Sequence, residues 1–263
     1  MTERPSPVAL EVRAVSNADA LGYLGQHAVS RAMGESSDYL LIGGQMVRLL
    51  LHAYPTPKAR HRSTVDADSA VGGVELIGQV SQLLQSDGFR KVSGNAFLKD
   101  LADERQVEIN VLMPRTDSTQ GIRPRHVEGV GNVDTLPELD FALNSSPITM
   151  DVAAHLMDGS VLTYRILVPS LETGTILKAH SWQSRRAEND LADLSTLLEI
   201  REEHPELPWH LAEPSLRGRR LDTARFLHEL AAQITRKSFS RSVPQDLDRY
   251  RFSALITKHV TTP

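Results

Sequence analysis

The chain has 263 residues, 40% hydrophobic and 24% charged, with a formal net charge of −4. That length buries a sizeable core in one large domain or two small ones, with no need for a disulfide or structural metal. The absence of cysteine excludes disulfide scaffolds, thiolate zinc sites, iron–sulfur clusters and cysteine nucleophiles. No apolar run approaches the roughly 18–20 residues that cross a bilayer. The N-terminal MTERPSPVALEV lacks a basic region followed by an apolar stretch, so the expectation is a cytoplasmic protein without a membrane partner.

Residues 1–17, with Pro5 and Pro7, read as a loose lead-in. Ala20, Leu21, Leu24, Ala28 and Val29 recur at helical spacing, predicting a helix over 17–32. Tyr39–Ile42 is a short apolar run suited to a buried strand; Gly43-Gly44 turns it into a helix carrying Met46, Val47, Leu49, Leu50 and Leu51. Residues 52–63 form a basic loop with Pro55 and Pro57. A strand over 64–71 carries Asp66 and Asp68, and an amphipathic helix follows over 74–85. Residues 89–92 and 96–98 predict a hairpin, and Gln106–Leu112 alternates as a further strand. Residues 114–150 read as loop-rich, 161–168 as a strand, and 171–203 as the longest helical region, with a break near Arg186-Ala187. A helix over 223–234 lies on a basic tail. Residues 214–263 hold ten Lys or Arg, among them Arg217, Arg219, Arg220 and Arg241, against four acids: a tail of +6 on a body of −10. Such a tail suits a polyanionic partner or a solvated helical face.

Three features carry chemistry. Gly43-Gly44 lets a phosphate approach the backbone at a helix N-terminus. Asp66 and Asp68 lie two apart in a strand and share a face. Adjacent carboxylates repel unless a cation neutralises them, which makes them natural ligands for a hard divalent ion. Glu108 interrupts an apolar strand, and a charge there needs a partner or a task. None of the ten histidines forms a His-x-x-x-His pair, which leaves oxygen donors as the metal-binding chemistry.

In this order the residues resemble the nucleotidyltransferase superfamily with the DNA polymerase β-like fold: apolar strand, Gly43-Gly44, helix, Asp66-x-Asp68, and a third acid, Glu108, in a later strand. The segment Arg62-Ser63-Thr64-Val65-Asp66-Ala67-Asp68 is similar to the Arg-x-Thr-x-Asp-x-Asp stretch of the AbiEii-type branch, which includes the MenT toxins. Lys178, Arg185-Arg186 and Asn189-Asp190-Leu191-Ala192-Asp193-Leu194 are similar to that branch's later helix. The resemblance spans roughly residues 38–200. It implies an α/β (α+β) protein, with a polymerase-β-like nucleotidyltransferase domain on a mixed sheet over 1–168 and a mainly helical C-terminal domain over 169–263. It implies Mg²⁺ or Mn²⁺ on Asp66, Asp68 and Glu108, with Lys178 catalytic. Gly43, Gly44, Arg62, Ser63, Lys178 and Asp190 would face the NTP. The implied activity is transfer of a nucleoside monophosphate to an acceptor, the tRNA 3′ end, by the toxin of a toxin–antitoxin or phage-defence system with a cognate antitoxin. Arg217, Arg219 and Arg220 would then meet RNA. The alternatives are transfer to a protein or small-molecule hydroxyl such as an antibiotic, and a catalytically silent nucleotide-binding module.

Overall fold

The computed structural model describes residues 6–102, 104–117, 119, 121–239 and 243–263. Arg241 of the basic tail lies outside the described residues. The chain divides into two compact units. One takes the chain through Ala53 and Ser63–Pro169; the other takes Tyr54–Arg62 and Ser170–Pro263. Both α-helices and a mixed sheet are present, which makes this an α/β (α+β) protein. Among the described residues no helix is long and apolar enough to cross a membrane.

The first unit opens with strand β1 (Val8–Arg13) and helix α1 (Asn17–Met33). Ser16 caps α1 by accepting from the Asp19 amide, satisfying a donor that the first turn leaves without a helical partner. Next come β2 (Tyr39–Leu41), α2 (Gly43–Ala53), β3 (Asp66–Val71), α3 (Val74–Ser86), β4 (Arg90–Lys91), β5 (Ala96–Asp100) and β6 (Gln106–Pro114). β7 (Arg123–Val127), β8 (Gly131–Leu136), α4 (Glu138–Leu143), β9 (Ile148–His155) and β10 (Val161–Val168) complete it. The larger sheet runs β2-β3-β6-β5-β4, with β8 joined to β6 and β7 to β8. β2 is antiparallel to β3, and β3 is parallel to β6. A separate sheet has the order β1-β9-β10. α1 packs against β3, β6 and β10. Ala67, Ile109 and Val111 are fully buried, and the intervening Asp66, Asp68, Glu108 and Asn110 are only half-buried. The period-2 alternation thus puts the apolar residues of β3 and β6 on one face and the acids on the other.

The second unit is a helical assembly of α5 (Leu171–Arg185), α6 (Glu188–Glu203), α7 (Gly218–Ile234) and α8 (Arg249–His259). α5 packs on α6 and α7, and α8 packs on the same two helices. Trp182, Leu194, Leu197, Ile234 and Ile256 fill its core. Its loop Tyr54–Arg62 returns on the helices, where the Thr196 hydroxyl donates to the Arg60 carbonyl.

Three sequence expectations need correction. The lead-in holds β1, because Leu10 and Val12 are buried on the parallel pairing with β9. The stretch 114–150 is not mainly loop: it holds β7, β8, α4 and the start of β9. The tail holds a second helix, α8, beyond α7. The expected break between α5 and α6 is present: Arg186 takes the left-handed conformation (φ 53°) as the α5 C-cap.

Candidate active site

The turn after β2 sets the geometry of the first unit's polar face. Leu41 pairs with Ser69, and the Ile42 amide donates to the Asp68 carbonyl at 2.8 Å. This brings Gly43 beside Asp68. Gly43 has φ +71°, and a Cβ there would stand 2.3 Å from Asp68 Oδ2 and 3.0 Å from Asp68 Cβ. A side chain is therefore disfavoured twice, by the left-handed backbone and by the carboxylate. Gly44 follows in α2, whose first turn carries no acidic residue. Amides at such a helix start attract anions.

Asp66 lies opposite Glu108 across the parallel β3–β6 pairing, and Asp68 lies opposite Asn110. Partners in register share a face, so the three carboxylates and the amide are neighbours. The Asn110 amide donates to Asp68 Oδ1 at 3.2 Å and to Glu108 Oε1 at 3.3 Å. The Thr64 hydroxyl donates to Asp66 Oδ1. Among the described residues, no three His, Asp or Glu side chains form a group that could hold a metal ion. The donor chemistry nevertheless fits Mg²⁺, which is commonly held by one or two carboxylates and completed by substrate phosphates and water. Asp66 and Asp68 supply that minimum, and Glu108 is the adjacent third oxygen donor.

Ser63, just before this strand, is exposed but tied to α1. Its hydroxyl donates to Asp19 Oδ1 at 2.6 Å, and Asp19 also receives Arg48 at 2.5 Å. Burial raises the Asp19 carboxyl, but hydrogen bonds from Ser63, the Val15 amide and Arg48 outweigh it, and the net shift is downward.

Arg62, Lys178 and Asp190 belong to the second unit. The end of α5 and the restart at Glu188 fold the two helices so that Lys178 Nζ stands 2.6 Å from Asp193 and 3.6 Å from Asp190. In one unbroken helix, Lys178 and Asp190 would be about 18 Å apart. Arg62 binds Asp193 with two hydrogen bonds of 3.1 and 3.0 Å, and Arg185 binds Asp190 with two of 2.7 Å. Lys178 is 4% exposed, Asp190 0% and Asp193 3%. Burial pushes the Asp193 carboxyl up, but Lys178 and Arg62 beside it pull it below its ordinary value of 3.8. Lys178 and Arg62 thus meet on the Asp193 carboxylate, while Arg185 and Lys178 approach Asp190.

Of the tail arginines, Arg217 is the exposed N-cap residue of α7. Arg219 is half-buried, and Arg220 Nε donates to the buried Glu172 at 2.7 Å. Elsewhere in the tail Arg251 pairs with Glu199 and Lys258 with Glu202. Local acids thus neutralise part of the charge that the sequence suggested was available.

No protein-family model and no curated protein sequence matches the chain. In chain path it is similar to the crystal structure of an antigenic nucleotidyltransferase-like protein from Paracoccidioides brasiliensis. That likeness has a TM-score of 0.43 at 15% identity, over 87% of this chain and 95% of that one. It is also similar to MenT4, a nucleotidyltransferase toxin from Mycobacterium tuberculosis H37Rv, with a TM-score of 0.44 at 12% identity, over 92% and 82%. The antibiotic-resistance factor ANT(2'')-Ia gives 0.38 at 12%, over 72% and 91%. Likeness at this level transfers no residue roles, and those proposed for this chain rest on its own side chains.

Proposed function

We propose that this chain is a Mg²⁺-dependent nucleotidyltransferase (Mn²⁺ being the alternative ion) that moves a nucleoside monophosphate from an NTP to an acceptor hydroxyl. The observation that carries the reading is the half-buried face on which Asp66, Asp68 and Glu108 lie together, with Gly43 pressed against Asp68 at the start of α2. Such a face is costly unless cations meet it. When bound, the ion stabilises charge on the oxygens of an in-line displacement at the α-phosphorus. Asp66 and Asp68 would hold it, with Glu108, opposite Asp66, as the neighbouring oxygen donor. Gly43 and Gly44 admit phosphate to the backbone. Lys178 and Arg62, which share Asp193, are assigned to the nucleotide as its cationic contacts. Asp190, held by Arg185, keeps Lys178 in place. Ser63 fixes the chain where it enters the Asp66 strand.

For the acceptor we propose the tRNA 3′ end, with Arg217, Arg219 and Arg220 as backbone contacts, and for the biological role a toxin held in check by a cognate antitoxin in the cytoplasm. These finer assignments rest on the motif order that resembles the AbiEii/MenT branch. The test is incubation with Mg²⁺, each α-labelled NTP in turn and total tRNA, beside Asp66→Ala. Label reaching RNA with wild type alone supports the reading. Label reaching protein or a small molecule moves the acceptor, and equal label with Asp66→Ala removes the site.

A further inference from the structure

Gln26 is 0% exposed and Gln45 1%. Two uncharged amides in the interior of a protein cost stability unless every donor and acceptor is met. Here they form a directed chain. The Tyr164 hydroxyl donates to Gln26 Oε1 at 2.8 Å. Gln26 Nε2 donates to Gln45 Oε1 at 2.7 Å. Gln45 Nε2 donates to the Thr64 carbonyl at 2.6 Å. The Thr64 hydroxyl in turn donates to Asp66 Oδ1. The chain runs from β10 through α1 and α2 to one carboxylate of the candidate site.

A second, independent observation concerns the space around this chain. A Cβ on Gly22 would stand 1.9 Å from Gln45 Nε2 and 2.9 Å from the Thr64 carbonyl oxygen. The bare backbone of α1 at Gly22 is what leaves room for the Gln45–Thr64 hydrogen bond. Thr64 also precedes β3 and, among the described residues, has no partner in the sheet register. Its carbonyl is met instead by the Gln45 side chain.

We propose that Gln45, with Gln26, Tyr164 and the space at Gly22, is a positioning relay that fixes Asp66 for its divalent ion. The inference rests on the metal-binding reading above. The first turn of α2 then sets both aspartates. Gly43 does so by direct approach to Asp68, and Gln45 does so through Thr64 to Asp66. Groups that orient the residues around a metal commonly govern its affinity by about tenfold or more when removed.

The test is Mn²⁺ binding, followed by electron paramagnetic resonance in the presence of a non-hydrolysable NTP. The variants are Gln45→Met, Gly22→Ala and Tyr164→Phe, with Asp66→Ala as reference and circular dichroism as the check on folding. Gln45→Met keeps an unbranched side chain of similar length. Gly22→Ala keeps every polar group and only crowds the bond. Gln45→Met and Gly22→Ala are expected to weaken Mn²⁺ binding about tenfold. Tyr164→Phe, at the far end of the relay, should keep the fold and weaken binding less. Folded Gln45→Met or Gly22→Ala protein with wild-type Mn²⁺ affinity would overturn the relay and leave the metal site standing. Should either variant fail to fold, Tyr164→Phe decides, and unchanged affinity there overturns the relay. Wild type and Asp66→Ala binding Mn²⁺ equally, or neither binding it, would overturn the metal site itself and the relay with it.

Discussion

Replacing Gly43 with alanine probes the junction of backbone and carboxylate most sharply. At φ +71° an alanine pays about 1–2 kcal/mol for the left-handed conformation. Its Cβ would also stand 2.3 Å from Asp68 Oδ2, 3.0 Å from Asp68 Cβ and 3.1 Å from Asp68 Cγ. The carboxylate can swing away, but Asp68 Cβ is fixed by the pairing of β3 with β6, so the turn itself must yield. The expected loss is about 2–3 kcal/mol, the backbone cost plus roughly 1 kcal/mol of crowding. The Asn110–Asp68 hydrogen bond of 3.2 Å should be lost with it. Gly78→Ala is the control. Gly78 lies within α3 with nothing near its missing Cβ, so alanine there should stabilise by about 0.5–1 kcal/mol. Urea unfolding gives both values, and transfer of an α-labelled nucleotide gives the activity. Gly43→Ala protein with wild-type stability and turnover would refute the proposed fit between this turn and Asp68.

Three further outcomes follow from the same geometry. Asp66→Ala and Asp68→Ala should each lower turnover by about a thousandfold, roughly 4 kcal/mol of lost charge stabilisation, with the fold retained by circular dichroism; activity within tenfold of wild type would sink their assignment. Asp193→Asn should destabilise by about 3 kcal/mol near neutral pH, because it leaves Lys178 and Arg62 without their shared carboxylate; an unchanged urea midpoint would count against it. The folded pKa of Asp193 lies below its ordinary 3.8, so its contribution is complete above that value and is lost as pH falls through the lower folded one. Urea midpoints measured down the acid range should therefore fall less steeply for Asp193→Asn than for wild type, and parallel curves would contradict the pairing.

The legible parts of the sequence were those where local pattern and tertiary role agree. The run Tyr39–Ile42 followed by two glycines announced a strand, turn and helix. Asp66 and Asp68 sit in their strand at the i, i+2 spacing the sequence showed, and Glu108 falls in register with Asp66. The break between α5 and α6 was visible as a lapse in the apolar pattern around Arg186. What stayed hidden depends on distant partners. β1 is a strand because β9, more than a hundred residues away, pairs with it. β7 has the sequence Arg-Pro-Arg-His-Val, which no strand pattern selects, and among the described residues it pairs with β8. Asp19 and Arg48 interrupt two apolar helical patterns, a signal that a buried ion pair awaits, but nothing local says they meet at 2.5 Å. The relay through Gln26 and Gln45 left no mark in the sequence, since a glutamine on a helix reads as a solvated residue until the neighbouring elements are in place.

The measurement that bears most directly on the central claim follows two labels through one reaction. Wild-type protein is supplied with Mg²⁺, an acceptor RNA pool and NTP labelled at either the α- or the γ-phosphate, with Asp68→Ala run beside it. The account predicts that α-label joins the acceptor, that γ-label leaves as pyrophosphate, and that both events require Mg²⁺ and Asp68. Transfer of γ-label to the acceptor, or α-label transfer that persists without the aspartate, would contradict it.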